Sequence, residues 1–395
     1  MKKYSRFKFF TFFLILVAVS FVSCKNSSSD DDYVPVVTVT PSAGTSSAGD
    51  VLVFYVPNGL GDNSSTDGIC EGVHRAAIKH KLSVYDICPP NWASAENYAK
   101  QFIDIFSKNY KSGESPVIFI FTDSNYLSYI KDFDFLKTPR EGVAFLLFDS
   151  KESSLENLST VFMPLYGASY LAGVASKKLL EGTASPRVLA ILANSVMPSL
   201  TDSLKGFAAG YEVTWDEKTL CDLSAGSTLS VDDIETLTNK NFGVVRLSKG
   251  LDDKTDPYGF NSADKAYSVA QIFQNLDSSK KYNLYFPVCG GSVQGLIRYN
   301  REKKENSFYT VGMTTDLSIY TSQVPFFVIQ KVDQAAENCV NQWVEGKLPH
   351  YQKLGLEEGY TSLEISKKYK EQLSEVVKNA FNTAVEKEQE YEKNK

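Results

Sequence analysis

Short apolar runs alternate with longer amphipathic stretches along most of the chain. The apolar runs are rich in Val, Ile, Leu and Phe, which is typical of strands buried on both faces of a parallel sheet. The predicted strands are Val51–Val56, Leu82–Ile87, Val117–Phe121, Val143–Phe148, Thr160–Leu165, Val188–Ala193, Gly243–Leu247, Tyr282–Val288, Tyr309–Met313 and Phe326–Val332. Apolar residues at helical spacing predict helices over Cys70–His80, Ala95–Ser107, Ser169–Leu180, Ser262–Asn275, Val293–Lys303 and Asp333–Glu345. This alternation predicts an α/β fold of doubly wound parallel sheets covered by helices on both faces.

The strand series starts again after the segment Gly167–Gly173, GASYLAG, and a chain of 395 residues is long enough for two lobes. We therefore expect the chain to cross from one lobe to the other near this segment. Beyond the last predicted helix, Ser366–Lys395 is charged and rich in helix-favouring residues. It predicts a C-terminal helix that frays into solvent.

The first residues have the pattern of a signal sequence. A basic segment over residues 1–8 precedes the apolar stretch Phe9–Val22, which is short for a transmembrane span. Ser23-Cys24 and a polar run follow, as in bacterial lipoprotein signals, so we expect residues 1–23 to be a signal peptide and Cys24 to be lipidated. The acyl chains of such an anchor (palmitate among them) bury enough CH₂ groups for stable membrane attachment. A plain secretory signal, in which Cys24 is incidental, is the alternative.

Residues 24–50 separate this segment from the first predicted strand. Tyr33–Asp50 is rich in Ser, Thr, Pro and Gly and has no helical periodicity. The sequence therefore predicts a disordered tether that holds the globular part off the membrane.

Charge and cysteine content narrow the classes of function. The formal charge of −6 argues against a nucleic-acid partner. After Cys24 the chain has five cysteines, with no CxxC and no spacing suited to zinc: Cys70, Cys88, Cys221, Cys289 and Cys339. We expect reduced, mostly buried thiols, no disulfide and no metal site.

The chain has no recognisable catalytic motif. Its three histidines form no HExxH, and there is no Walker loop and no GxSxG elbow. Carboxylate pairs such as Asp252-Asp253 lie in polar segments and are expected to be solvated. We expect no enzymatic activity and no cofactor, and the pattern favours a two-lobed, lipid-anchored binder of a small solute.

Val51–Gly72 is the segment around which a binding site is expected. It reads as a buried strand, a turn rich in Gly, Asn, Asp and Ser, and the start of a helix. In open α/β sheets, ligands bind at the carboxyl ends of the strands. Gly290-Gly291-Ser292, which follows another predicted strand, has the composition of an anion-binding turn or of an ordinary tight turn.

These segments, taken in order, resemble the basic membrane protein family of bacterial lipoproteins. That family is similar to the solute-binding subunits of ABC transporters that take up purine nucleosides. The matching blocks are Gly61-Asp62-Asn63-Ser64 with Glu71-Gly72, Tyr170-Leu171-Ala172-Gly173, Gly206-Phe207-Ala208-Ala209-Gly210, Gly259-Phe260-Asn261, Val288-Cys289-Gly290-Gly291-Ser292 with Gly295, Val311-Gly312-Met313-Thr314-Thr315-Asp316, and Val332-Asp333 with Gly346-Lys347. The resemblance covers residues 50 to 365.

The resemblance implies a type I periplasmic-binding-protein fold, in which two lobes close on a ligand about a hinge of three crossovers. Lobe 1 would comprise residues 50–166 and 320–350. Lobe 2 would comprise residues 167–319 and 351–365, and residues 366–395 would follow as the C-terminal helix.

The resemblance also implies the ligand-binding residues. Asp62 and Asp316 would bond polar groups of the ligand. Phe260 would stack on a ring, with packing in the core as its alternative role. Further candidates, each with helix capping or turn formation as the alternative role, are Ser64, Ser65, Thr122, Asp123, Gly290, Gly291, Thr314 and Gln330.

The chain departs from the family pattern at positions that matter for the ligand. Thr314 stands where the family has an Asp that binds ribose hydroxyls, and Gln330 where it has a Lys. Ser65-Thr66 replaces Phe-Asn, and Cys70 replaces an aromatic residue. A carboxylate bonded to sugar hydroxyls is worth about 1.5–3 kcal/mol for each bond, so these changes predict weakened nucleoside binding.

The expected function is capture of a small polar ligand, most closely a nucleoside, and its delivery to an ABC transporter permease at the bacterial cell envelope. Two alternatives use the same scaffold without nucleoside transport. One is a surface lipoprotein that acts as an adhesin or host-contact protein, and the other is a ligand sensor with a membrane partner.

Overall fold

The computed structural model describes residues 36–40, 48–57, 59–61, 65–109, 115–138, 140–193, 197–215, 220–223, 229–247, 258–314 and 319–395. At 36–40, 106–109, 306 and 314 it describes the backbone alone. Val36–Lys395 forms one compact unit. The predicted signal peptide, Cys24 and Asp252-Asp253 lie outside the described residues.

The described strands are β1 (Val36–Thr40), β2 (Asp50–Phe54), β3 (Ser83–Cys88), β4 (Val117–Phe121), β5 (Val143–Phe148), β6 (Ser159–Phe162), β7 (Val188–Leu192), β8 (Cys221–Asp222), β9 (Phe242–Arg246), β10 (Leu284–Val288), β11 (Tyr309–Thr310), β12 (Gly312–Thr314), β13 (Phe326–Gln330), β14 (Tyr351–Lys353) and β15 (Thr361–Ile365). Each predicted strand has a counterpart within a few residues. The predicted strand Tyr309–Met313 is divided at Val311 into β11 and β12.

The described helices are α1 (Ser65–His80), α2 (Trp92–Asn109), α3 (Leu127–Ile130), α4 (Asp134–Lys137), α5 (Tyr166–Leu179), α6 (Pro198–Tyr211), α7 (Val231–Thr238), α8 (Ala263–Gln274), α9 (Gln294–Glu302), α10 (Val332–Val344) and α11 (Lys370–Lys393). All the predicted helices are present. In the described part of the chain, no helix is both long enough and apolar enough to span a bilayer.

The strands form three sheets. The first has the order β1-β3-β2-β4-β5-β6-β14, and all its neighbours are parallel except β1 and β3. The second is parallel throughout, with the order β11-β10-β7-β9-β8. The third has the order β12-β13-β15, in which β15 is antiparallel to β13.

Alternate residues of each strand face opposite helical layers, as strand geometry requires. In β2, Val51 and Val53 pack with α1 and α10, whereas Leu52 and Phe54 pack with α2 on the other face. The second sheet lies between α5 with α6 on one side and α8 with α9 on the other. The third sheet shares the α5 and α6 side of this core.

The protein is therefore two-lobed. The first sheet and its helices form one lobe, and the second and third sheets form the other. The chain crosses between the lobes three times: from β6 to α5, from β13 to α10, and from β14 to β15.

The lobe boundaries predicted above differ from the sheets in two segments. Residues 320–350 were expected in lobe 1, but Phe326–Gln330 pairs with β12 and β15 of the third sheet. Residues 351–365 were expected in lobe 2, but Tyr351–Lys353 pairs with β6 of the first sheet and only Thr361–Ile365 pairs with β13. Short strands with half-exposed side chains carry no clear periodicity, so pairing decides where they lie.

The predicted tether over residues 24–50 is corrected in part. Val36–Thr40 is not structureless but forms the antiparallel edge strand β1, with Val36 opposite Cys88 and Thr40 opposite Val84. Its sequence, VVTVT, has the β-branched composition of a strand, and the free edge of β3 supplies its partner.

The C-terminal helix is also corrected. It is present, but it packs along α5 instead of fraying into solvent, and Leu373, Ala384 and Glu388 on it are buried. The ring of Tyr391 near its end stacks on Tyr166 at 4.5 Å.

The five cysteines after Cys24 are free thiols, and the prediction that they are mostly buried is confirmed. Cys221, Cys289 and Cys339 are buried, and Cys70 and Cys88 are half-buried.

Candidate functional site

A cleft lies between the two lobes where strands of both sheets end. Its walls come from the segments after β2, β4 and β5 in the first lobe and from those after β9 and β10 in the second. The N-terminus of α6, with Met197, completes the wall on the second-lobe side. Carboxyl ends of parallel strands meet at one edge of a sheet, so two such edges face each other here.

Thr122 and Asp123 directly follow β4 and form part of the first-lobe wall. The Thr122 hydroxyl donates to the carbonyl oxygen of Phe54 at 3.0 Å, which ties the ends of β4 and β2 together. Asp123 accepts a hydrogen bond from the backbone N–H of Asn125 at 2.7 Å. Burial raises the pKa of Asp123 to about 6, although the bond from Asn125 acts in the opposite direction.

Asp149 is a cleft residue that the sequence analysis missed. It follows β5 as Asp123 follows β4, and it lines the same cleft. Its backbone is left-handed, with φ 51°, a conformation that Asp tolerates better than most residues. A signal was present in the sequence, since Asp149 directly follows the predicted strand Val143–Phe148, at the strand end where ligands bind in open α/β sheets.

Asp149 is bonded across the cleft. The hydroxyl of Ser199, in the first turn of α6, donates to its carboxylate Oδ2. The other oxygen, Oδ1, is buried and has no hydrogen-bond partner among the described residues. Burial is the largest cause that raises the pKa of Asp149 to about 7, and the negative charge of Asp123 adds to it.

Phe260 lines the cleft from the second lobe, in the loop before α8. Ser292 holds this loop: its hydroxyl donates to the carbonyl oxygen of Gly259 at 2.7 Å and accepts from the N–H of Ser262 at 2.7 Å. The Phe260 ring packs partly on the core of the second lobe and partly faces the cavity. The predicted stacking role and the alternative of core packing therefore apply to the same ring.

Gly290 also lines the cavity, with a positive φ of 52°. A Cβ at this position would lie 3.0 Å from Cδ1 of Phe260. A side chain there would be strained and would press on the ring, so glycine is required. Gly291 is buried one residue further on and is not among the lining residues.

Two more predicted residues reach the cleft. Ser65, the first residue of α1, lies at the cleft edge. Gln330 ends β13, and its side-chain amide donates to the carbonyl oxygen of Met163 at 3.2 Å. Asp62, Ser64 and Asp316 lie outside the described residues, as does the side chain of Thr314.

The lobes touch across the cleft at further points. The side-chain amide of Asn261 donates to the carbonyl oxygen of Pro57 at 3.4 Å. The ring of Tyr258, from the second lobe, packs on Trp92 of the first. The space left between the lobes is a cavity of about 70 Å³, with a second of about 20 Å³ beside it. The larger holds about five water molecules, at about 10–15 Å³ each.

Comparison with solved protein structures identifies the fold. No family profile and no curated protein sequence matches the chain. A solved structure of ABC transporter system solute-binding proteins from Aeropyrum pernix K1 is similar at 16% identity and a TM-score of 0.59, covering 87% of this chain and 90% of that one. The chain has a type I periplasmic-binding-protein fold.

Two further proteins of different description share the same architecture. A transcriptional activator of the comK gene from Bacillus halodurans is 16% identical, with a TM-score of 0.56, and covers 85% of this chain and 97% of that one. A glucose-galactose binding protein from Geobacillus stearothermophilus is 14% identical, with a TM-score of 0.51, and covers 82% and 99%. At these identities the similarity concerns the fold, and the residues of the site must carry the function.

Proposed function

We propose that this protein is a lipid-anchored solute-binding protein that captures a small polar ligand between its lobes and delivers it to an ABC transporter permease. The observation that carries the proposal is the cleft, whose walls combine buried carboxyl groups of one lobe with an aromatic ring of the other. A ligand that contacts Asp123 and Phe260 at once favours the closed arrangement of the lobes, which is the requirement for capture.

The lining indicates the chemistry of the ligand. Asp123 and Asp149 accept hydrogen bonds, so the ligand presents hydroxyl or N–H groups to the first lobe. Phe260 offers a flat apolar surface to a ring. A ligand with a polar edge and an apolar face, such as a sugar or a nucleoside, has both features.

The ligand of the cleft belongs to one of two classes, nucleosides or monosaccharides. The sequence resemblance favours a nucleoside. The volume of about 70 Å³ favours a smaller ligand with a single ring, such as a monosaccharide, because a nucleoside adds a base to its sugar. The similar structures include a glucose-galactose binding protein and a carbohydrate transporter solute-binding protein in complex with D-arabinose.

The experiment is thermal unfolding of the purified chain with purine and pyrimidine nucleosides, nucleobases and monosaccharides. A ligand at a hundred times its Kd stabilises the native state by about 2.7 kcal/mol, which raises the melting temperature. We expect one class to give this shift, and Asp123→Asn and Phe260→Ala to reduce it. Phe381→Ala, an exposed aromatic on α11, is the matched control that should leave the shift unchanged.

A folded protein that responds to none of these ligands would contradict capture of a sugar or nucleoside. The narrow cavity gives a physical reason to consider the second candidate, a surface lipoprotein that keeps the scaffold without transport. Binding of the unliganded protein to host-cell surfaces, unchanged by Asp123→Asn, would support that candidate.

A further inference from the structure

A cluster of metal-ligating side chains lies in the first lobe and lines no part of the cavities described above. Cys70 and His74 are four residues apart on α1, so they share one face of the helix. Asp86 lies on the neighbouring strand β3. The Cys70 Sγ, a ring nitrogen of His74 and a carboxylate oxygen of Asp86 all lie within 4.8 Å of one another.

The three side chains already point at a common centre. Nε2 of His74 is 3.0 Å from Oδ2 and 3.2 Å from Oδ1 of Asp86. The Cys70 thiol is within hydrogen-bonding range of the His74 ring. In a tetrahedral zinc site, with bonds of about 2.0–2.3 Å, ligand atoms lie roughly 3.4–3.8 Å apart, so the donors need to move little to bind one ion.

Tyr55, in the core of the first lobe, is hydrogen-bonded to one residue of the cluster. Its hydroxyl donates to Oδ1 of Asp86 at 2.6 Å, and the side chain is fully buried. An outer hydrogen bond of this kind orients a carboxylate ligand and leaves its other oxygen free for a metal. Cys88 stands two residues after Asp86 on β3, so its side chain is on the same face of the strand.

The other histidines of the chain have no such surroundings. Nε2 of His80 pairs with Oδ1 of Asn341 at 2.6 Å, and Nε2 of His350 lies 3.1 Å from the carbonyl oxygen of Leu155. His74 is distinguished by having a thiol and a carboxylate at the same ring. Its side chain is 26% exposed, so an ion has access from solvent.

We propose that Cys70, His74 and Asp86 bind a divalent transition-metal ion of borderline softness, with Zn²⁺ as the fitting probe. One sulfur, one nitrogen and one oxygen donor leave the fourth tetrahedral position to water. The ion joins α1 to β3. Because Ser65 at the start of α1 lines the cleft, about 7.5 Å along the helix from Cys70, metal loading also stiffens one wall of the cleft.

The sequence did not predict a metal site here, because two of the ligands are on a helix and the third is on the next strand. Cys-x3-His is a weak signal by itself. Only the pairing of β3 beside α1 brings Asp86 to it.

The competing explanation is a hydrogen-bonded His74–Asp86 pair that needs no metal. The test is equilibrium dialysis of the chain, purified without a histidine tag and freed of metal with a chelator, against Zn²⁺. We expect one Zn²⁺ for each chain and a higher melting temperature in its presence. Co²⁺ in place of Zn²⁺ should give a sulfur-to-cobalt charge-transfer band.

Substitutions separate the two explanations. Cys70→Ala keeps the His74–Asp86 pair, yet it should abolish the charge-transfer band and weaken Zn²⁺ binding by more than tenfold. Tyr55→Phe, which removes the hydrogen bond to Asp86 and leaves all three proposed ligands in place, should weaken binding by about tenfold. His80→Ala, on the same helix, is the control and should bind as the unaltered chain does. Absence of stoichiometric Zn²⁺ binding by the folded chain, or equal binding by Cys70→Ala and His80→Ala, would overturn the proposal.

Discussion

The rings of Tyr258 and Trp92 meet edge to face across the cleft, with centroids 5.0 Å apart and an interplanar angle of 88°. Trp92 begins α2 and is nearly buried in the first lobe. Tyr258 belongs to the second-lobe segment that also carries Phe260. The contact therefore exists only while the lobes are together, and Trp92 reports on closure.

The first prediction uses this reporter. In a chain with Trp215→Phe and Trp343→Phe, Trp92 is the remaining tryptophan. Adding Tyr258→Leu removes a ring contact worth about 0.5–1.5 kcal/mol and favours separated lobes. We expect the emission of Trp92 to shift to longer wavelength and its quenching by acrylamide to increase.

The control for this experiment is Tyr267→Leu in the same background. Tyr267 makes a similar edge contact with Tyr299, with centroids 5.4 Å apart, but within the second lobe. Its loss should leave Trp92 emission unchanged. Equal spectra for the two variants would show that the cleft contact does not hold the lobes.

The second prediction concerns Ser199, the only described donor to Asp149. Ser199→Ala leaves both oxygens of a buried carboxyl group without partners, which costs about 1–3 kcal/mol. We expect the free energy of unfolding in urea to fall by this amount. Ser203 lies on the same helix as Ser199, and its hydroxyl pairs with that of Ser169 on α5. Ser203→Ala removes only this neutral pair and should cost less.

The third prediction is a pH dependence. The pKa of Asp149 is raised from 3.8 to about 7 by burial, so the native state holds this proton between these values and the unfolded state does not. The free energy of unfolding therefore falls as pH rises through this window, by up to about 1.4 kcal/mol for each pH unit. Asp149→Asn should flatten the profile, measured by denaturation from pH 4 to 8.

Asp123, whose pKa is about 6, contributes in the same direction. Exposed Asp264 provides the control, since Asp264→Asn should leave the slope unchanged. A steeper fall with rising pH in Asp149→Asn would contradict the assignment of the proton to this carboxyl group.

The alternation of strands and helices could be predicted because central parallel strands are apolar on both faces. β4 and β5 coincide with their predicted bounds for this reason. The edge strands β1, β8, β14 and β15 were missed, since their stability comes from a neighbour and not from their own pattern. α6 was noticed only as a Gly-Phe-x-x-Gly block, although Leu200, Leu204, Phe207 and Tyr211 have the spacing of one helical face.

The site could be predicted as far as it follows the carboxyl edges of the strands. Ser65, Thr122, Asp123, Phe260, Gly290 and Gln330 line the cleft as that rule and the resemblance suggested. Ser199 could not be found in this way, because it reaches Asp149 from a helix of the other lobe. Contacts between lobes depend on the hinge, and no local pattern encodes them.

The fourth prediction concerns Glu388, which caps a helix from another part of the chain. Its Oε2 accepts from the N–H of Gly167 at 2.8 Å, in the first turn of α5, and its Oε1 accepts from the N–H of Leu356 at 3.0 Å. α5 has no side-chain cap of its own. Burial raises the pKa of Glu388 to about 7, although the two backbone donors act against this.

Glu388→Gln should destabilise the protein by about 1–3 kcal/mol, because an amide NH₂ cannot accept one of these two bonds. Glu386→Gln, exposed on the same helix, should be neutral. The measurement is urea denaturation above pH 8, where the native carboxyl group is ionised. Equal stability of the two variants would mean that α11 does not cap α5.

The fifth prediction tests the packing of α10 against α1, at the point where the chain returns to the first lobe. α10 packs on α1 so closely that a Cβ at Gly72 would lie 2.0 Å from the carbonyl oxygen of Asp333. Gly72→Ala must push the helices apart, at a cost of about 1–3 kcal/mol. Gly346→Ala is the comparison: its φ of 67° makes alanine unfavourable, but the space around it is open. We expect the smaller loss there, about 1 kcal/mol, and a loss at Gly72 no larger than this would contradict the close approach.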